Sequence, residues 1–396
     1  MHRRHAGGTR AAEKGVNYAQ ANSVKAAGAS PGGQQATTGL KMVLSKNRST
    51  FYRTLLVCLI ALPLCIGCCS TLCIVTILLS SQSHLVLNRN NLQDIEKLAT
   101  FTTPGSIVLD LAVSPDGKAL ASGSEGGSVR LWDLQSGTNY PALRGHEGNV
   151  NSVAFSPDSN LLASGSSDGK IILWNARTGK PERTLLPGAG RVQSVAFSPD
   201  NTDLASALFD EQIIIWNVNT GSRKHTLSVP GSQLCAISYS PDGRILAAAT
   251  MNHTIILWDI QAMIQKNVLT GRSQWVRSLA FSPDGKNLAF GFADNSITLW
   301  DMDTGKEKHV LPTNNGVTSL AFSPNGQILV SGANENTVII WNPHTGEQLK
   351  SFLNGGEYSL IHAVRFSPDG RILAVASSET ISLWGIQNPL QQYIIR

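Results

Sequence analysis

Serine, histidine and aspartate fall close together in one stretch of this chain, which contains His146, Ser164, the pentapeptide Gly165-Ser-Ser-Asp-Gly169 and Trp174. The pentapeptide satisfies Gly-x-Ser-x-Gly, the pattern in which a serine on a sharp strand-to-helix turn attacks an acyl carbon. A histidine and an aspartate nearby would complete the proton relay of a hydrolase. That chemistry needs a helix after the serine. Here the pentapeptide lies between Leu161-Leu-Ala-Ser and Ile171-Ile-Leu-Trp, two short apolar runs joined by a tight Asp168-Gly169 turn, so it reads as a hairpin. Ser167 is therefore not expected to be a nucleophile.

Other chemistry is no better supported. There is no His-Glu-x-x-His, no phosphate-binding Gly-x-x-x-x-Gly-Lys-Ser/Thr and no clustered metal-ligand spacing after the first hundred residues. His253, His309, His344 and His362 read as solvated side chains in turns or outer strands. Cys65-x-x-Cys68 has redox spacing, but it sits with Cys58, Cys69 and Cys73 in one apolar run, where small thiols pack as hydrophobes. Cys235 is the sixth cysteine, which leaves no intramolecular disulfide for the rest of the chain. Asn252-His-Thr254 would accept a glycan only in a glycosylating cell and reads as a chance match. No catalytic residue, cofactor or metal is expected.

The elements that must position these side chains repeat. Trp132, Trp174, Trp216, Trp258, Trp300, Trp341 and Trp384 recur at intervals of 42, 42, 42, 42, 41 and 43 residues. That is the period of a four-stranded propeller blade. Each unit has an apolar strand such as Ser194-Val-Ala-Phe-Ser198, then a Ser-Pro-Asp-Gly turn in which Pro sets φ and Gly tolerates φ > 0. A second strand, a tight turn and a third strand ending in Ile-Leu-Trp follow. The fourth strand is more polar, as Glu182-Arg-Thr-Leu-Leu186 is, and suits an outer edge.

The Trp-Asp and Trp-Asn pairs, the Phe-Ser-Pro-Asp-Gly turns, the Ala-Ser-Gly-Ser strands, the Gly145-His146 dipeptide and the period together resemble the WD40-repeat family. The near-identical repeats are similar to those of bacterial, membrane-anchored members. The resemblance implies an all-β, seven-bladed β-propeller over residues 95–388, with 389–396 as a C-terminal tail. It also implies a structural hydrogen-bond set of His146, Ser164, Asp168 and Trp174. The Asp of that set is kept by Asp210 and Asp294 and becomes Gly126, Asn252, Glu335 and Ser378 elsewhere, while the His is lost, so strand packing must hold most blades. A propeller must close. The residues after Trp384 are too short and Pro-interrupted to be a fourth strand, and Ile95-Glu-Lys-Leu-Ala-Thr-Phe101 is expected to complete the last blade.

Ahead of the repeats the composition changes. Residues 1–53 hold nine Lys/Arg against the single acid Glu13, whereas the remainder holds 23 basic and 26 acidic groups. The folded part thus carries no surplus of positive charge, and nucleic acid is not an expected partner. The tail has no apolar period and reads as disordered. Leu55 to Leu79 is 25 residues without a charge. At helical rise that is roughly 37 Å, enough for a hydrocarbon core of about 30 Å. We read residues 54–80 as one transmembrane helix and 81–94 as a tether. A cleaved signal peptide and a lipoprotein box at Leu64-Cys-Ile-Gly-Cys68 fit less well, given the long leader and the apolar run after Cys68. Lys41, Lys46, Arg48 and Arg53 on the N-terminal flank place the tail in the cytoplasm and the propeller across the membrane.

For partner binding, the loops that lead into the inner strands hold Arg144, Arg191, Arg272 and Trp275, with Arg277 just beyond. Trp275 is the tryptophan outside the repeat positions. An aromatic flanked by arginines has the composition of an interface anchor. Phe290 and Phe292 replace serines of the repeat and read as core. The expected function is a non-catalytic, monomeric, membrane-anchored scaffold for protein partners. A small-ligand receptor or enzyme using the central channel is the alternative from a different class, and a regulatory partner of a membrane signalling kinase is a third.

Overall fold

The computed structural model describes residues 85–188, 190–270, 275–355 and 359–387. The expected disordered tail at 1–53, the expected transmembrane helix at 54–80, residues 81–84 of the expected tether and the expected C-terminal tail at 389–396 lie outside them. Among the described residues, no helix is long and apolar enough to cross a membrane.

The repeats form seven antiparallel sheets, and the inner strand of each contacts the inner strand of the next around a closed ring. The inner strands are Val108–Val113, Val150–Phe155, Val192–Phe197, Leu234–Tyr239, Val276–Phe281, Val317–Phe322 and Ile361–Phe366, which we number as blades one to seven. The protein is an all-β, seven-bladed propeller. One apolar cluster fills each interface between neighbouring sheets, and the core is therefore seven layers and not one mass. Phe290 and Phe292 are buried in the layer between blades four and five.

Close approach explains the Gly of the Ala-Ser-Gly-Ser strands. A Cβ on Gly165 would lie 2.5 Å from Val192 Cγ1, and one on Gly332 would lie 2.3 Å from Ile361 Cγ2. In both cases the obstructing atom belongs to the first inner-strand residue of the next blade.

The same turn recurs in every blade. Ser114, Ser156, Ser198, Ser240, Ser282, Ser323 and Ser367 are all buried. Each hydroxyl donates to the carboxylate or amide oxygen two residues on, at 2.6 Å for the six aspartates and 2.7 Å for Asn325. Each also accepts the backbone N–H five residues on, as from Leu161 to Ser156 Oγ at 2.8 Å. The turn thus satisfies the donors where the first strand ends and the second begins.

Blade one has three strands. Pro141 lacks the N–H a fourth would need, and only two isolated bridges, Val129 to Leu143 and Trp132 to Asn139, remain there. Blade seven takes its outer strand from the other end of the repeat region. Ile95–Thr102 pairs antiparallel with Thr380–Ile386, from Ile95 against Ile386 to Thr102 against Thr380. Lys97 Nζ donates to the Asn354 carbonyl at 3.0 Å and lies over the Trp384 ring at 5.2 Å.

Residues 85–94 differ from the free tether read from the sequence. Leu87 and Leu92 are buried against Ile328, Ile361 and Leu373, and Leu87 N–H donates to the Gly370 carbonyl at 3.0 Å. The reason is apolar area: Leu87 and Leu92 join the apolar layer between blades six and seven.

Two predictions follow from these contacts. Asp200, Asp242 and Asp284 are held below the usual carboxylate range, first by the serine hydroxyl and against the effect of burial. A depressed carboxyl stabilises the fold above its unfolded value of about 3.9, and that contribution is lost as pH falls through the folded value. Replacing all three by Asn, which keeps the acceptor as Asn325 does, should flatten the fall in urea midpoint below about pH 4. Separately, a soluble form beginning at residue 104 should melt several degrees below one beginning at residue 85, because it leaves Thr380–Ile386 as an unpaired edge; equal midpoints would show that the clasp contributes nothing.

Candidate functional site

The Ser, His and Asp of the second unit do assemble. His146 Nε2 lies 2.8 Å from Ser164 Oγ, and His146 Nδ1 lies 3.0 Å from Asp168 Oδ2. The order of contacts is that of a hydrolase relay. Its environment is the opposite, since Ser164 is 0% exposed and its oxygen accepts the Trp174 indole N–H at 2.8 Å. Asp168 also accepts the backbone N–H groups of Glu147 and Lys170, both at 2.9 Å. Burial pushes the His146 pKa down against the pull of Asp168, which favours the neutral ring, and the tautomer with Nδ1–H donating to the carboxylate suits the contacts. No substrate atom can reach Ser164, and the set ties a loop, a hairpin turn and a third strand together. Ser167 instead bonds Asn151, with Asn151 Nδ2 donating to its hydroxyl at 2.9 Å.

Part of this set persists where the sequence reading saw only strand packing. Trp216 Nε1 donates to Ser206 Oγ and Trp341 Nε1 to Ser331 Oγ, each at 2.9 Å, without any histidine. In blade seven Trp384 Nε1 finds Asn354 Oδ1 at 2.8 Å. In blade four Ala248 faces the third strand in place of a serine, and the buried Trp258 indole N–H has no partner.

The inner strands line a channel cavity of about 530 Å³. Its wall is mostly Ser, Ala, Val and Leu, and the serines are engaged. The third residue of an inner strand accepts a backbone N–H from the next blade: Val153 to Asp110 at 3.0 Å, Val195 to Ser152 and Ile237 to Ser194 at 3.2 Å, Leu320 to Ser278 at 3.0 Å, and Val364 to Ser319 at 3.1 Å. Ala236 and Ala363 hold this position in blades four and seven and cannot accept. At the seam between blades seven and one, Arg365 Nη2 donates to Asp110 Oδ1 at 2.7 Å. Burial pushes the Asp110 carboxyl up, and Arg365 is the largest opposing influence.

A second cavity, about 300 Å³, opens where the chain leads into the inner strands. It shares Gln193, Cys235, Arg277, Thr318 and His362 with the channel below, and Leu234, Met251, Trp275 and Leu360 complete its wall. Trp275 is 42% exposed and Leu360 43%. The Arg277 guanidinium lies 5.5 Å from the Trp275 ring centroid, a cation–π pair.

The structure thus brings Trp275 and Arg277 together. Arg144 and Arg191 are exposed but line neither cavity, and Arg272 lies outside the described residues. His362 corrects the sequence reading: it is on the inner strand of blade seven, facing the channel, and not in a turn or outer strand. Superposing the units would have found it, because it occupies the position of Asn151, Gln193 and Arg277. Burial pushes its pKa down, with Glu125 opposing. Burial also pushes the Cys235 thiol up to about 11, which favours the protonated thiol at neutral pH. Among the described residues, no group of three His, Cys, Asp or Glu could hold a metal ion.

With this geometry in view, residues 107–309 match the family model described as the IFT122 first beta-propeller, and residues 305–342 and 346–385 match the WD domain, G-beta repeat. The chain belongs to the WD40-repeat β-propeller family, whose members typically serve as protein-interaction scaffolds and are generally non-catalytic. A 63-residue segment is 36% identical to the general transcriptional corepressor TUP1 of Saccharomyces cerevisiae, covering 15% of this chain and 9% of that protein. A 54-residue segment is 43% identical to an uncharacterized WD repeat-containing protein, alr3466, of a Nostoc species, covering 14% of this chain and 4% of that one. The likeness is thus to the repeat and not to either protein as a whole.

If the set around His146 is structural, Asp168→Ala should lower stability by about 1 to 3 kcal/mol by stranding the His146, Glu147 and Lys170 donors. Urea unfolding of the full chain measures it. Ser206→Ala, which strands one indole N–H, should cost less.

Proposed function

We propose that the protein is a membrane-anchored interaction platform without catalysis of its own, and that the cavity at Trp275 is where protein partners dock. The observation that carries this reading is a half-exposed tryptophan and a half-exposed leucine on the rim of one concave cavity, backed by an arginine that stacks on the tryptophan. Aromatic and arginine anchors in a pocket carry most of the binding energy of protein interfaces. Residues 54–80 would serve as the membrane anchor, with the basic tail in the cytoplasm and the propeller on the other side, as the flanking charge asymmetry supports.

The small-ligand reading has one observation in its favour, the channel cavity with Arg277 and His362 where it meets the second cavity. Against it, the one carboxylate on the channel wall, Asp110, is already committed to Arg365 and to the Val153 amide.

A photo-crosslinking amino acid at position 360, with the full chain in its native membrane, tests the platform. Adducts should form with discrete proteins and should fall at least tenfold when Trp275→Ala is added. Adducts indifferent to Trp275 would show that this cavity is not the docking site. External protease on intact cells should cleave the propeller; protection beside a cleaved control ectodomain would reverse the proposed orientation.

A further inference from the structure

The cavity at Trp275 also has a chemical preference, and this inference rests on the docking reading above. Arg277 is exposed and lies over the Trp275 ring, with Cys235 and His362 close enough to feel its charge; among the described residues no carboxylate forms an ion pair with it. It is the permanent cation of a wall otherwise made by Trp275, Leu360, Met251, Cys235 and neutral polar groups. His362 adds no fixed positive charge, because burial disfavours its protonated form. A guanidinium desolvated on one face by an aromatic ring keeps its in-plane N–H donors, and those suit a carboxylate bidentately.

Among the described residues the exposed charges around the cavity at this end of the ring are mostly acidic, Glu147 among them, although Arg144 and Arg191 are exposed there too. The turns between second and third strands point toward the same end of the ring and expose Glu125, Asp210, Glu335 and Glu379. A polyphosphate backbone approaching Arg277 would have to pass these acids, whereas a single carboxylate on a chain of otherwise neutral or basic residues would not be repelled. Beside the guanidinium, Leu360, Met251 and the Trp275 face offer apolar surface large enough for one aliphatic side chain.

We propose that the cavity recognises an extended protein segment in which one carboxylate, seated on Arg277, adjoins an aliphatic side chain seated against Trp275 and Leu360. Arg277 supplies the charge selectivity and Trp275 the apolar selectivity.

The test uses the purified full chain and four fluorescent peptide pools of fixed length with lysine-containing random flanks, differing only in a central Asp-Leu, Asn-Leu, Lys-Leu or Asp-Ser pair. Anisotropy should show the Asp-Leu pool binding at least tenfold tighter than the others. Arg277→Gln should erase the preference of Asp over Asn, and Trp275→Ala the preference of Leu over Ser, with circular dichroism confirming that both variants keep the fold. Equal binding of the Lys-Leu pool, an Asp preference that survives Arg277→Gln, or no binding of the Asp-Leu pool would overturn the proposal. So would tighter binding of a 20-nucleotide oligothymidylate, which would make the cavity a phosphate site. Partner adducts at position 360 together with no carboxylate preference would remove this inference and leave the docking reading standing.

Discussion

One buried serine hydroxyl per blade sets the geometry on which the ring depends. It donates to the aspartate or asparagine two residues on and accepts the amide five residues on, so that the first strand of each sheet turns back at a fixed angle into the second. Seven copies of one turn give seven sheets of one shape, and identical sheets close a ring only if their angle is uniform. The turns also approach one another from blade to blade. The Gly of one turn lies near the Pro of the preceding one, as Gly243 lies near Pro199 and Gly117 near Pro368 across the seam. No Ser-Pro-Asp-Gly position is free to drift without its neighbour, and the acidic partner is replaced just once, by an asparagine that preserves the acceptor.

The channel follows from the same regularity. Five inter-blade junctions are tied by a side chain that takes a backbone amide from the next blade, and the seam, where Ala363 cannot do so, is spanned by Arg365 reaching Asp110. The residues spent on closure cannot also bind. What remains uncommitted lies one position earlier on the inner strands, where Arg277 and His362 meet the exposed Trp275 and Leu360. The site is built from side chains that the ring does not use for its own cohesion, although Asn151 at the same register donates to the Val192 carbonyl of the next blade.

The blade was legible in the sequence because its signals are local: a tryptophan period, a turn whose residue types dictate φ, and strands bounded by glycine. Trp275 was legible as the tryptophan out of period. Its companions were not, since Leu360 and His362 come from one distant segment and Met251 from another, and they meet it only through closure. His362 looked like a solvated residue when read alone, and its place on an inner strand shows only when units are laid over one another. The Ser206–Trp216 and Ser331–Trp341 bonds do not follow from the histidine that marks the second unit; the hydroxyl and the indole meet by strand register and need no third partner.

The clasp has a consequence in time. Ile95–Thr102 is made before any blade, and its partner strand, Thr380–Ile386, is made after six blades are complete. At ordinary synthesis rates the interval is roughly 15 to 60 seconds, during which the strand must wait with both edges open. A waiting strand is a hazard, and this one carries Glu96 and Lys97 beside Leu98, charges of the kind that discourage premature pairing. The first residues of the propeller to leave the ribosome are therefore among the last to fold, and the ring is sealed by a segment that has had to remain unpaired throughout its own assembly.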